Sequence, residues 1–396
     1  MNRVVITGMG TISPVGLNVD TFWDALVSGK CGVDKITRYD TSEMKVTLAA
    51  EVKGFDPADF GIEKSASRKL DLFVQYALAA SKEAMEQSAL VSGGNIPAER
   101  LGVYIGSGIG GILTFMEAAT RCNEKGPERI SPLFIPKMIA NMATGNAAIK
   151  YGAKGPTLPV VTACASSNHA VGEAFHAIKA GYADAILAGG TEATICPLAV
   201  GGFTNCMALS TATDPLLASL PFDSRRGGFV IGEGSAMLVL ENEEHARKRG
   251  AAILGEICGY GNTCDAFHVT APDPSAESGA RAVRLAMEEA GYREGESVYI
   301  NAHGTGTLLN DGAETLAIKK ALGDETAKSA MVSSTKSVTG HMLGAAGAAE
   351  CIASVLALRT GVLPPTIGLT EPDPDCDLDY IPLTKREAQC DLALNI

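Results

Sequence analysis

Seven short apolar runs recur along this chain: Arg3–Thr7 (RVVIT), Val103–Ile105 (VYI), Leu158–Thr162 (LPVVT), Ala185–Leu187 (AIL), Met237–Leu240 (MLVL), Val298–Ile300 (VYI) and Met331–Ser334 (MVSS). Most are continuously apolar rather than alternating, as expected of strands buried on both faces of a mainly parallel sheet. Helical patterns such as Leu72–Ser88 and Gly279–Ala290 lie between them. This alternation restricts the chain to a layered α/β architecture. Glycine supplies 44 of the 396 residues and aromatics only 5%, against a usual glycine share of about 7%. Many tight turns and close helix–sheet packing follow.

The chain is too long for one ordinary core, and it carries a faint internal echo. AMEQ precedes Val103-Tyr104-Ile105, and AMEE precedes Val298-Tyr299-Ile300. Later in each half a strand runs into a reactive-looking residue and then an Ala/Gly-rich helix, as VVTACASSNHAVGEAFHAIKAG and VSSTKSVTGHMLGAAGAAE. The repeated order points to duplication, with a boundary near Gly250–Ala252 that separates residues 1–250 from 251–396.

The net charge of −12 repels phosphate backbones and acidic membrane surfaces, so neither nucleic acid nor membrane is an expected partner. No basic, apolar leader opens the chain, and no stretch reaches the roughly 18 uncharged apolar residues of a span. The nearest, Leu343–Leu358, contains Glu350. Ten cysteines are spread without a CxxC pair, which suggests neither a zinc site nor a dithiol motif and makes a reduced, cytoplasmic setting the default.

Three residues carry chemistry. Cys164, in VTACASS, sits where a strand meets a helix, a bend that exposes a side chain and a helix end that favours a thiolate. His303, in NAHGTGT, follows a strand directly, and His341, in KSVTGH, follows another. Strand ends of this kind are where open α/β sheets hold ligands. One histidine would serve simple acyl transfer to a thiol. Two imidazoles aimed at one point can donate to an oxygen that becomes an enolate, as decarboxylation of a malonyl thioester requires. Lys336 would keep nearby histidines neutral by like-charge repulsion. Glu350, nine residues beyond His341 on the same presumed helix, needs a partner such as Lys336.

These motifs, together with VVITGMGTISPVG, IGSGIGG, ISPLFIP, GGFTNCMALS, PFDSRRGGFVIGEG and SSTKSVTGHMLGAAGAAE, resemble the β-ketoacyl-acyl-carrier-protein synthases, specifically the type II condensing enzymes of bacterial fatty-acid elongation. The resemblance implies a thiolase-like αβαβα fold of two pseudo-symmetric halves, with mixed β-sheets between helix layers, in a homodimer. It implies an acyltransferase that loads an acyl chain on Cys164 and condenses it with malonyl-carrier protein, releasing CO₂. His303, His341 and Lys336 would be catalytic, with Glu350 and Asp311 as supporting carboxylates. Thr305 and Thr307 would bind the phosphopantetheine arm, and Ile109 and Phe203 the acyl chain. Arg68, Lys69 and Arg129 would form a basic patch for acyl-carrier protein. No cofactor or metal is implied, since the substrates bring their own pantetheine. His268 and Thr270 also match a family motif, without a role attached to it here.

Two departures stand out. The family continues past the last segment seen here with an Asn-Ser-Phe-Gly-Phe-Gly-Gly turn and a closing strand. The resemblance therefore implies an incomplete chain at Ile396, short of one oxyanion-hole amide. Met207 occupies a place where relatives often carry an arginine facing the carrier. A ketosynthase of polyketide assembly shares all the motifs. A thiolase would pair its nucleophile with a second cysteine, and a chain-length-setting partner subunit would usually lack Cys164.

Overall fold

The structure, a computed structural model, describes residues 2–396. Six strands form the larger sheet: β1 (Val4–Ile12), β2 (Leu101–Gly106), β3 (Thr157–Val160), β4 (Ala185–Glu192), β5 (Gly234–Asn242) and β6 (Gly255–Ile257). Their order is β3-β2-β4-β5-β1-β6. Three more strands, β7 (Val298–Asn301), β8 (Met331–Ser333) and β9 (Leu392–Asn395), form a second sheet in the order β8-β7-β9. Each of the seven apolar runs of the sequence overlaps a strand. The larger sheet is mixed rather than mainly parallel. β2 runs parallel to β3 and β4, whereas β5 is antiparallel to both β4 and β1. The smaller sheet is wholly parallel, so only one of the two expected mixed sheets is mixed.

Helix α1 (Leu72–Ser88) covers one face of the larger sheet with Phe73, Ala77, Ala80 and Ala84, an i, i+4, i+7, i+11 stripe. Helices α2 (Ser166–Lys179) and α5 (Ala346–Thr360) cover the other face. α5 also touches β7 and β9, so the smaller sheet lies on its far side. Helices α3 (Glu277–Ala290) and α4 (Leu308–Leu322) close the stack, where Val283, Met287 and Ile318 pack on Val298, Ile300, Val332 and Leu394. The layers therefore read helix, sheet, helix, sheet, helix. The segment Leu343–Thr360 is long and apolar enough to cross a membrane by composition, but 78% of it is buried in this stack.

The two halves use one local device. A 3₁₀ turn, Ala163–Ala165, precedes α2, and another, Leu343–Ala345, precedes α5. The first residue of each is a non-glycine in the left-handed region, Ala163 at φ +51° and Leu343 at φ +48°. Such residues are strained and persist where the surroundings dictate them. The echo in the sequence thus corresponds to a repeated turn that feeds the two central helices.

Candidate active site

Cys164 lies on the Ala163–Ala165 turn, so the left-handed residue before it re-aims the chain from β3 into α2. His303 comes two residues after β7 ends. His341 follows the short helix Lys336–Thr339 and Gly340, and α5 begins only at Ala346. It therefore does not share a helix with Glu350, as the spacing suggested. A backbone break at Gly340 (φ +64°) and the second 3₁₀ turn intervene.

The fold brings these three side chains together. His341 Nε2 is 2.9 Å from Cys164 Sγ, and the two imidazoles stand nearly perpendicular with centroids 5.3 Å apart. The sulfur and one ring nitrogen of each histidine lie within 4.8 Å of one another. Phe229 meets the His341 ring edge-on at 5.1 Å. Among the described residues no protein group pairs with His341 Nδ1. No protein hydrogen bond therefore locks the tautomer of His341, and Nε2 is free to accept from the thiol or to donate to a substrate oxygen.

Burial sets the protonation states. It holds both histidines well below their ordinary pKa, and the charge of Lys336 pushes in the same direction. Both imidazoles are neutral at pH 7. Burial also pushes the Cys164 thiol up to about 11, with Lys336 pulling the other way. This corrects the expectation of a thiolate: loss of hydration for the anion outweighs the attraction of the nearby cation. The resting pair is a thiol facing a neutral imidazole.

Lys336 is fully buried and its ammonium pairs with Glu350, itself buried. A thiol and two imidazoles at this spacing are donors that Zn²⁺ accepts in general, but the fixed charge of Lys336 opposes a cation there.

Cys164, His303, Glu350 and Glu314 line one cavity of about 290 Å³, with Asp265, Pro272 and Asp273 on its covering loop. Asp311 is not among the lining residues. It is buried behind the His303 loop, accepting from Phe222 N (2.8 Å) and Gly306 N (3.2 Å). Thr305 and Thr307 bring their hydroxyls to 3.0 Å of each other on the same loop. Phe203 packs in the cluster that contains Cys164 and stacks edge-on with Phe229 at 5.5 Å. Ile109 is partly exposed, its amide 3.3 Å from Glu192. Arg68, Lys69 and Arg129 are exposed, lie outside the cavity and make no ion pair among the described residues. His268 is exposed, and its Nδ1 accepts from Thr270 N and Ala271 N. Met207 is 89% exposed.

Two buried carboxylates escaped the sequence reading. Glu314 accepts from His303 N (2.6 Å) and Gly304 N (2.7 Å), and burial raises it to about 7. Glu192 accepts from Gly108 N (2.7 Å), Ile109 N, Gly344 N (3.0 Å) and Ser107 Oγ, and burial likewise raises it to about 7. It ties the Ile109 loop to the turn beyond His341. One signal was available: Glu192 is the only charged residue between Ala185 and Thr213, and a lone carboxylate in an apolar run needs donors.

A five-layered αβαβα stack whose loops bring one cysteine and two histidines together defines a thiolase-like condensing enzyme. The pattern described as "Beta-ketoacyl synthase, N-terminal domain" matches residues 1–246, and "Beta-ketoacyl synthase, C-terminal domain" matches residues 254–370. The chain belongs to the β-ketoacyl synthase family. It is 47% identical to 3-oxoacyl-[acyl-carrier-protein] synthase 2 of Synechocystis sp. over 394 residues, 99% of this chain and 94% of that one. To the protein of the same name from Staphylococcus aureus it is 49% identical over 380 residues, 96% of this chain and 91% of the relative.

Solved structures agree. A β-ketoacyl synthase from Burkholderia phymatum superposes with a TM-score of 0.90 at 36% identity, covering 99% of this chain and 95% of the other. A type II polyketide ketosynthase, solved in complex with its acyl-carrier protein and bound to the hexaketide, gives 0.90 at 35%, covering 99% and 95%.

Proposed function

We propose that this chain catalyses a decarboxylating Claisen condensation in fatty-acid chain elongation, with Cys164 as the acyl carrier. The observation that supports this most directly is the 2.9 Å approach of His341 Nε2 to Cys164 Sγ, with the His303 ring beside it. As Cys164 attacks the acyl thioester of a carrier protein, its proton passes to His341. The C–S bond to pantetheine breaks, and the departing thiolate takes that proton.

Malonyl-carrier protein then enters. His303 and His341, both neutral, donate N–H to its thioester oxygen as the bond to the carboxylate breaks and CO₂ leaves. The electron pair left behind forms an enolate, which attacks the acyl carbonyl on Cys164. Sγ departs as a thiolate and takes up one proton from solvent. The product is a β-ketoacyl-carrier protein two carbons longer. Burial and the charge of Lys336 keep the histidines neutral, Glu350 pairs the Lys336 ammonium, and Asp311 holds the loop carrying Thr305 and Thr307, which receive the pantetheine arm. Ile109 and Phe203 border the acyl chain. The arm arrives with the substrate, so the reaction asks for no cofactor.

Acyl-carrier protein is the partner this chemistry needs, docking near Arg68, Lys69 and Arg129, whose unpaired positive charges suit an acidic surface. A homodimer is supported by β3, an unpaired edge strand on which Leu158 and the following Val161 are 41% and 57% exposed. Sedimentation of Leu158→Asp and Val161→Asp should show monomer if that edge pairs two copies. A cytoplasmic setting fits ten free cysteines. The division into halves near Gly250–Ala252 is supported by the gap between the two matched regions.

The second reading, polyketide assembly, is favoured by the type II polyketide ketosynthase neighbour at 35% identity, and opposed by the 47–49% identity to the 3-oxoacyl-[acyl-carrier-protein] synthases 2. Mass spectrometry after incubation with acyl-carrier protein should find the acyl group on Cys164. With malonyl-carrier protein it should find a single two-carbon extension. No adduct on Cys164 overturns the proposal, and repeated extension to a polyketone selects the second reading.

A further inference from the structure

Helix α4 begins at Leu308, directly after the loop that carries Thr305 and Thr307. A helix N-terminus bears partial positive charge and favours anions. A cation is nevertheless buried against it. Arg226, 6% exposed, donates from Nε to Thr307 O and from Nη2 to Leu308 O, each at 3.2 Å. Its Nη1 reaches Asp373 Oδ2 at 2.6 Å and Asp223 O at 3.0 Å, and its Nε lies 3.6 Å from Asp311 Oδ2.

This placement runs against the helix dipole and is tolerated because Asp311 and Asp373 flank the guanidinium. A surface ion pair would not need such a position. The fork geometry is used in full: three carbonyls and a carboxylate are engaged by one planar group, which a lysine cannot reproduce. The lacing continues on either side, with Gly228 N donating to Gly306 O at 3.0 Å and Asp311 bridging Phe222 N and Gly306 N. The segment from Phe222 to Gly228 is thereby stitched to the loop from Gly306 to Asp311. On that loop the two threonine hydroxyls stand 3.0 Å apart. Arg226 itself does not line the cavity of Cys164 and His303.

We propose that Arg226 is a positioning residue for recognition of the pantetheine arm: by holding the carbonyls of Thr307 and Leu308 it fixes the loop on which Thr305 and Thr307 meet that arm. This rests on the reading of those two threonines as pantetheine-binding. It makes Arg226 a determinant of which thioesters the enzyme uses rather than of the bond-making steps.

The test compares two acyl donors on the same protein preparation: hexanoyl-pantetheine, and the hexanoyl thioester of ethanethiol, which has no arm. For Arg226→Lys and Arg226→Gln, kcat/KM for acylation of Cys164 by hexanoyl-pantetheine should fall at least tenfold, mainly through KM. With the ethanethiol ester it should change less than twofold, and alkylation of Cys164 by iodoacetamide should keep its wild-type rate. The ratio of the two donors is independent of the folded fraction. Equal losses on both donors, no loss on either, or failure of both variants to fold would each overturn the proposal. A Thr305→Ala/Thr307→Val variant run in parallel separates the readings. If it leaves the donor ratio unchanged, the pantetheine role of the threonines fails, while Arg226 stands or falls on its own ratio.

Discussion

Cys164 and His341 are 177 residues apart in the chain and 2.9 Å apart in the fold, sulfur to Nε2. Because burial lifts the thiol to about 11, that contact joins two neutral groups. Alkylation of Cys164 by iodoacetamide should therefore rise about tenfold per pH unit from pH 6 to 9 without levelling, since the thiolate fraction grows that way below its pKa. A plateau near pH 7 would show a stabilised thiolate instead. The linked stability has a definite sign. The native pKa lies above the ordinary 9.0, so this thiol's contribution is full below pH 9 and is lost as pH rises toward 11.

The Lys336–Glu350 pair is buried beside the cavity, with side-chain exposures of 1% and 4%. Breaking such a pair leaves a buried charge without a partner, at a cost of about 3–5 kcal/mol. Lys336→Met and Glu350→Leu should each lose that much in urea unfolding. The double substitution should recover most of it, since it leaves no unpaired charge buried. Additive losses in the double variant would count against a paired role.

Glu314 offers a pH test with the opposite sign to an ordinary carboxylate. Its native pKa of about 7 exceeds the ordinary 4.5, so its contribution is complete below pH 4.5 and is lost as pH rises through 7. The loss amounts to up to about 3 kcal/mol. Glu314→Gln cannot ionise, so its stability relative to wild type should improve between pH 5 and 8 in denaturant titrations. A pH-independent difference would mean that Glu314 is already ionised at pH 5.

Gly344 marks how closely the two halves approach. A Cβ there would press on Gly108 N and stand 2.8 Å from Glu192 Oε2. Gly344→Ala should cost about 1–3 kcal/mol through overpacking and lower condensation by shifting the turn after His341. Gly145→Ala, in helix Met142–Tyr151 with open space at its Cβ, is the control. It should raise stability by up to about 1 kcal/mol, with melting temperature as the readout for both.

Local patterning carried much of this protein in its sequence. Seven short apolar runs marked seven strands, and Leu72–Ser88 marked a helix to the residue, because both patterns depend on neighbouring residues alone. Cys164 and His303 were legible for the same reason, each standing just past a strand that a local pattern reveals; His341 is set off from β8 by a short helix, and a glycine stands next to each histidine. Gly304, at φ +37° with Ser334 within 2.6 Å of its Cβ position, shows what one such glycine is for.

What required the folded molecule was everything that depends on which loops converge. β5 returns antiparallel between β4 and β1 after a long connection, so the larger sheet is mixed. Glu192 and Glu314 hold amides contributed by distant loops or by the start of their own turn. Arg226 meets a helix end 81 residues away in sequence. The charge state of Cys164 also belongs to the fold. A helix start is visible in a sequence, but the desolvation that outweighs it arises only when two halves close over the thiol.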